Sequence, residues 1–331
     1  MGEFELIERF FKQPAQAGAS SAAVPLGIGD DCALLQPAPG MQLAISTDML
    51  VEGRHFFPEV NPFALGHKTL AVNLSDLAAM GAAPLGFTLA LALPPERASD
   101  SVWLQALSGG MLSLGDGHRC PLVGGDTTAG PLNLCVTVFG QVPAGQALRR
   151  DGAQVGDDIW VSGTLGGARL ALGVIREEWA MPTEAFAATR QRLERPTPRL
   201  ALGLALRGVA SACADVSDGL AGDLGHILKA SAVGARLESD AVLKLTDHEW
   251  MPPDRIVDSD FRLLLALTGG DDYELVFTAP ASARAAVQSA ADDANTRVTR
   301  IGLIEAQPGL RLTHTSNYSA PIVAQAFDHF R

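Results

Sequence analysis

The chain has 331 residues, 47% of them hydrophobic and 19% charged, with a formal net charge of −12. That length exceeds one ordinary core and implies two domains, and the composition excludes a disordered chain. Lysine occurs only at Lys12, Lys68, Lys229 and Lys244, and no basic patch interleaves with aromatics, which excludes nucleic acid and an anionic membrane surface as partners.

Residues 3–12 read as a short helix with Phe4, Ile7, Phe10 and Phe11 on its apolar side, followed by a mobile small-residue loop, Gln13–Ala23. MGEFELIERFF has neither the charged start nor the apolar run of a signal peptide, and Leu6 breaks the myristoylation pattern. The most apolar run, Leu85–Leu93, is too short to span a bilayer. Cys32, Cys120, Cys135 and Cys213 form no CxxC pair and sit in apolar settings, so buried free thiols and a reducing, cytoplasmic setting are expected.

The stretch Leu26–Phe56, LGIGDDCALLQPAPGMQLAISTDMLVEGRHF, carries the densest chemistry. Cys32–Leu35 and Leu43–Ile45 read as strands joined by a hairpin through Pro37, Pro39 and Gly40. The hairpin would gather Asp30, Asp31, Asp48, Ser46, Thr47 and His55 on one rim. No lysine or arginine lies between Leu26 and Glu52, and carboxylates this close repel unless a cation or protons intervene. Oxygen ligands of this kind suit Mg²⁺. A plain turn, with Asp30 capping a backbone group and Asp31 solvated, fits the same residues.

Asn61–Met80 reads as a buried helix, capped by Asn61 and started by Pro62, with one polar stripe of Thr69, Asn73 and Asp76. A buried aspartate needs a partner, so Asp76 points to a backbone group, to Lys68 or to a metal. Leu85–Leu93 reads as a buried strand and Asp100–Leu114 as a helix. Pro121–Gly125 reads as a strand entering a turn at GGDTT, and Leu132–Val142 as a further strand. The glycine pair before Asp126 lets the backbone approach a ligand, although an ordinary β-turn uses the same residues. The domain boundary falls near Pro143–Asp157, giving domains 1–145 and 146–331. Arg149 and Arg150 there read either as phosphate contacts or as a solvated linker.

The second half opens with a strand, Asp158–Val161, a glycine loop and a helix, an arrangement that offers N–H groups to an anion. Neither a Walker A loop nor GxGxxG occurs. Pro196–Ala210 reads as a helix. CADVSDGL then places Asp215, Ser217 and Asp218 at a junction leading into a helix through Ala230, where Asp218 also reads as a cap. Leu263–Leu267 leads into TGGDDYELVF, a second Gly-Gly-Asp turn with Asp271, Asp272 and Glu274. The two Gly-Gly-Asp turns, with the Ser/Asp pairs Ser46/Asp48 and Ser217/Asp218, suggest two related α/β halves.

Several apolar segments thus end in aspartate beside Gly, Ser or Thr. Converging carboxylates with few cations imply several Mg²⁺ ions, and Mg²⁺ held this way implies polyphosphate and phosphoryl transfer. No histidine or cysteine shows the spacing of a nucleophilic triad.

LGIGDDCALL, AISTDMLVEGRHF, AVNLSDLAAMGA, GGDTT, DVSDGL and GGDDYEL, in this order over essentially the whole chain, resemble the thiamine-monophosphate kinase family. That family lies in the superfamily of aminoimidazole ribonucleotide synthetase and selenophosphate synthetase. The resemblance implies an α/β fold of the α+β type in two domains: an N-terminal domain pairing into a dimeric β-barrel, and a C-terminal α/β domain. It implies a homodimer that converts thiamine monophosphate to thiamine diphosphate with ATP and several Mg²⁺ ions, by direct in-line transfer. Carried over by motif, Asp31, Ser46, Thr47, Asp48, Asp76, Asp126, Asp215 and Asp218 correspond to Mg²⁺ ligands. Gly125, Asp126, Arg150 and Ser217 correspond to ATP contacts, and His55, Asp271 and Phe327 to thiamine-phosphate contacts, with Asp30 in a supporting role. Two departures stand out: Asp271 replaces the usual glutamate, and Ala326–Phe327 replaces glycine and Tyr or Trp. Another ATP-using enzyme of the superfamily, or a non-catalytic nucleotide- or metal-binding regulator, is the alternative. A selenophosphate synthetase would need a reactive Cys in a glycine-rich setting, and Cys32 is expected inside a strand. A regulator would be expected to have lost motif aspartates, and all are present.

Overall fold

A computed structural model describes residues 2–17, 22–246, 250–252 and 258–313, and the backbone of 319–321. Its contacts divide the chain into one unit of residues 1–77 and 82–145 and a second of residues 78–81 and 146–331.

The first unit begins with a helical segment, α1 (Glu3–Ile7), a wide turn at Glu8–Lys12, and α2 (Gln13–Ala17). Leu6, Phe10 and Phe11 are buried, whereas Phe4, expected on the apolar side, is 83% exposed. The wide turn brings Leu6 rather than Phe4 into line with Phe10 and Phe11. Of the expected loop Gln13–Ala23, residues 13–17 are helical and 18–21 lie outside the described residues.

Four strands follow: β1 (Met41–Val51), β2 (Ala83–Leu93), β3 (Leu122–Ala129) and β4 (Asn133–Pro143). They form one sheet in the order β1-β4-β2-β3, with only β2 and β3 parallel. The expected hairpin is absent. Cys32–Leu35 makes only an isolated bridge, Leu34 to Leu26, and β1 pairs with β4 instead. Pro37 and Pro39 lack the N–H groups a ladder needs. Cys32 is therefore exposed, not buried in a strand, and Cys135 is only partly buried. The setting of Cys32 no longer separates this chain from a selenophosphate synthetase.

α3 (Pro62–Ala79), α4 (Pro95–Ala98) and α5 (Ser101–Gly117) complete the unit. The Asn61 side chain accepts from Phe63 and Ala64 N–H, and Asp100 accepts from Trp103 N–H, so both long helices start at side-chain caps. α3 and α5 cross at backbone contact. A Cβ on Gly66 would lie 1.9 Å from the Leu107 carbonyl oxygen, and one on Gly110 would lie 1.9 Å from that of Phe63. Gly110→Ala must force the helices apart, and is expected to lower stability by about 1–3 kcal/mol in a denaturant titration; an unchanged midpoint would contradict this crossing.

The second unit holds β5 (Asp157–Ser162), β6 (Ala212–Val216), β7 (Gly234–Glu238), β8 (Glu274–Pro280), β9 (Val298–Glu305), β10 (Gly309–Thr313) and β11 (Ser319–Pro321). They form a mixed sheet ordered β11-β10-β7-β9-β5-β8-β6. Around it run α6 (Gly167–Ile175), α7 (Thr183–Glu194), α8 (Leu200–Ala205), α9 (Leu220–Ser231), α10 (Ser239–Leu243), α11 (Ser259–Thr268) and α12 (Arg284–Asp293). The main core joins Ile159 and Val161 of β5, Val276 of β8 and Leu224 and Ile227 of α9. The predicted helix Pro196–Ala210 shortens to α8. No helix among the described residues is long and apolar enough to cross a membrane.

Candidate functional site

In the first unit, β1 sorts its side chains by parity. Ser46, Asp48 and Leu50 point to one side and Leu43, Ile45, Thr47 and Met49 to the other. The first side meets the polar stripe of α3. Ser46 Oγ donates to Asp76 Oδ2 at 2.5 Å, and Asn73 Oδ1 accepts from Asp48 N–H at 3.1 Å. Asn73 Nδ2 in turn donates to the Thr69 carbonyl, and the Thr69 hydroxyl to that of Leu65. Thr69 and Asn73 are fully buried, so the stripe is a braced hydrogen-bond chain that presents Asp76 toward β1. Ser46, Asp48 and Asp76 are thereby brought together.

Thr47 is not brought to that group: its hydroxyl lies on the opposite side, 2.9 Å from that of Thr137 on β4. Asp31 is exposed in an irregular segment, where its N–H donates to Asp30 Oδ1 at 2.9 Å, so Asp30 caps a backbone group. His55 follows the end of β1. Its Nδ1 accepts from Val51 N–H at 3.0 Å, which fixes the ring and leaves the neutral proton on Nε2.

GGDTT is not a turn. Gly125 and Asp126 lie within β3, opposite Leu89 and Ala90 of β2, and both are exposed. A Cβ at Gly125 would sit 1.9 Å from the Leu89 carbonyl oxygen, and its φ is +148°, so this strand position admits only glycine. The strand order puts Asp126 and Asp48 on opposite edges of the sheet, about 14 Å apart at ordinary strand spacing.

In the second unit, Asp215 ends buried in β6, and the chain leaves the strand through Ser217, Asp218 and Gly219 into α9. Asp218 does not cap α9: the N-cap is Gly219, without a side-chain cap. The bracing comes from Asp223, one turn into the helix, whose Oδ2 accepts the N–H groups of both Ser217 and Asp218 at 3.0 Å. Asp223 was missed in the sequence, where it looks like an ordinary helix residue five positions after Asp218. Burial and the neighbouring Asp218 charge push its carboxyl up to about 7, against the pull of the two N–H groups and Arg150. Arg150 therefore stands near this loop. Arg149 instead pairs with Asp151 at the surface, as a linker residue would.

The Gly-Gly-Asp turn of the second half does form, between α11 and β8. Of its three acids only Asp271 stays partly exposed. Glu274 is 1% exposed and takes a bidentate contact from Arg199, a bond from Arg192 at 3.1 Å and one from Ser162 Oγ. Asp272 is buried and accepts from Gly166 N–H at 2.8 Å. Burial raises its carboxyl to about 7. Both belong to the core. Phe327 lies outside the described residues.

The donor set of the first unit is all oxygen, which suits Mg²⁺. Among the described residues no three His, Cys, Asp or Glu side chains close into a cage.

The chain matches the AIR synthase related protein family, in its N-terminal domain over residues 29–142 and its C-terminal domain over residues 154–315. It is 47% identical to thiamine-monophosphate kinase of Salmonella typhimurium, over 92% of this chain and 91% of that one. The crystal structure of thiamine-monophosphate kinase from Stenotrophomonas maltophilia superposes with a TM-score of 0.81 at 46% identity, covering 94% of this chain and 96% of that one. AaThiL complexed with AMPPCP and TMP superposes with a TM-score of 0.74 at 28% identity, covering 99% and 97%.

Proposed function

Because the chain belongs to the AIR synthase related proteins, and within them to the thiamine-monophosphate kinases, we infer that it phosphorylates thiamine monophosphate with ATP to give thiamine diphosphate and ADP. The observation that carries this reading is kinship along nine-tenths of the chain. In the reaction an oxygen of the monophosphate attacks the γ-phosphorus, the bond to the β-phosphate oxygen breaks, and ADP leaves. No protein nucleophile takes part. The chain's task is alignment and charge balance.

Mg²⁺, when bound, neutralises phosphate charge. Asp31, Ser46, Asp48, Asp76, Asp126, Asp215 and Asp218 are assigned to hold it; Thr47 offers the Asp76 side only its main chain. Gly125, Asp126, Arg150 and Ser217 are assigned to ATP. The exposure of Gly125 and Asp126 on β3 supports this. His55, with its ring fixed, Asp271 and Phe327 are assigned to thiamine monophosphate.

We assign residues 1–145 to metal and ATP binding and to dimerisation, and 146–331 to the C-terminal α/β domain. The outer side of β1 supports a homodimer with paired sheets, since Ile45 is 58% exposed, Met49 50% and Leu43 46% in a row broken only by Thr47. We place the protein in the cytoplasm, in keeping with four free cysteines.

The test is a discontinuous assay with ATP, Mg²⁺ and thiamine monophosphate, with free thiamine as control and thiamine diphosphate resolved by chromatography. Diphosphate is expected only from the monophosphate and only with Mg²⁺; its absence overturns the reading. In the same assay Arg150→Ala is expected to raise KM for ATP about 10-fold, more than that for thiamine monophosphate. The reverse order would reject its assignment.

A further inference from the structure

Around Asp271 the backbone takes a form that side chains disfavour. Asp271 has φ +65° and Tyr273 φ +51°, two non-glycine residues in the left-handed region within three positions. Such outliers persist only where their surroundings hold them. Four contacts do so here. Asp271 N–H donates to the Ser217 carbonyl and Tyr273 N–H to that of Val216, both at 2.8 Å. Between them Asp272 turns into the core, where its Oδ2 takes the Gly166 N–H at the start of α6. The Tyr273 hydroxyl then reaches back to Asp271 Oδ1 at 3.2 Å. Gly270 makes the approach possible, since a Cβ there would lie 2.6 Å from the Ser217 carbonyl oxygen.

We propose that Tyr273 and Asp272 are positioning residues of the acceptor site: Asp272 anchors the turn, and the Tyr273 hydroxyl sets the carboxylate of Asp271 for recognition of thiamine monophosphate. The proposal rests on the assignment of Asp271 to that substrate. It also gives the turn a second duty. The same backbone bonds tie Asp271 to Ser217 and Tyr273 to Val216, in the segment that carries Asp215, Ser217 and Asp218.

The experiment is steady-state kinetics on Tyr273→Phe, Asp271→Asn, the double variant, Asp272→Asn and Asp272→Ala, each checked by circular dichroism and thermal unfolding. Tyr273→Phe keeps the ring and removes only the hydroxyl. It is expected to raise KM for thiamine monophosphate about 5- to 10-fold, the weight of one ordinary hydrogen bond, with kcat and KM for ATP nearly unchanged. The double variant is expected to be no worse than Asp271→Asn alone, because the hydroxyl acts through that carboxylate. Asp272→Asn keeps an acceptor for Gly166 and is expected to hold KM near the parent value, while Asp272→Ala raises it. If Asp271→Asn raises KM for the acceptor and Tyr273→Phe does not, the positioning role is overturned and the Asp271 assignment stands. If Asp271→Asn leaves that KM unchanged, the assignment itself falls and the proposal with it.

Discussion

Asp48→Asn is expected to lower turnover by about 10³-fold with thermal unfolding unchanged. The side chain sits half-buried on the α3 side of β1, beside the Ser46–Asp76 pair. Asn keeps the size and the backbone bond to Asn73, so β1 keeps its register against β4. What is lost is one negative charge of the carboxylate proposed to hold Mg²⁺. The measurement is a Mg²⁺ titration of initial rate: the variant needs more Mg²⁺ and still saturates low. Asp126→Asn, on exposed β3, is expected to behave alike. Normal turnover in either would break the metal assignment.

Glu274→Ala is expected to produce the largest loss of stability, about 3–5 kcal/mol. Its carboxylate is almost fully buried and answers two arginines, Arg199 and Arg192, whose side chains are themselves 18% and 24% exposed. Removing it leaves both cations facing a buried void. Burial alone would raise the Glu274 carboxyl, but Arg199, Arg192 and Ser162 outweigh burial and hold it below the ordinary glutamate range. A carboxyl held low contributes stability that is full above the unfolded glutamate pKa, about 4.3. That contribution fades as pH falls toward the folded value. The parent protein should therefore lose stability on acidification from about pH 4 downward more steeply than the variant. Equal stability at pH 7, measured by denaturant unfolding, would show that the network contributes nothing net.

Much of this was legible in the chain itself. The cap of α3, the buried strand β2, the glycine loop before α6 and the acidic ends of CADVSDGL follow from local chemistry: side-chain oxygens that cap, apolar runs that bury, glycines that turn. The family resemblance is likewise written in contiguous motifs. Other features depend on partners distant in sequence. GGDTT and GGDDY share Gly-Gly-Asp, yet the first is a strand and the second a left-handed turn. Pairing beside Leu89 straightens one, and bonds to Val216 and Ser217 bend the other. The hairpin expected around Pro37 fails because β4, some ninety positions further on, supplies β1 with its ladder. Asp271 stands where the resemblance implies a glutamate, and the φ of +65° there is one that aspartate tolerates better than a longer side chain. Composition and motif determined which chemistry this protein carries. Only the tertiary structure decided which carboxylates sink into the core and which stay accessible, because Asp48, Asp272 and Glu274 differ in burial and in their partners, and those come from other elements of the fold.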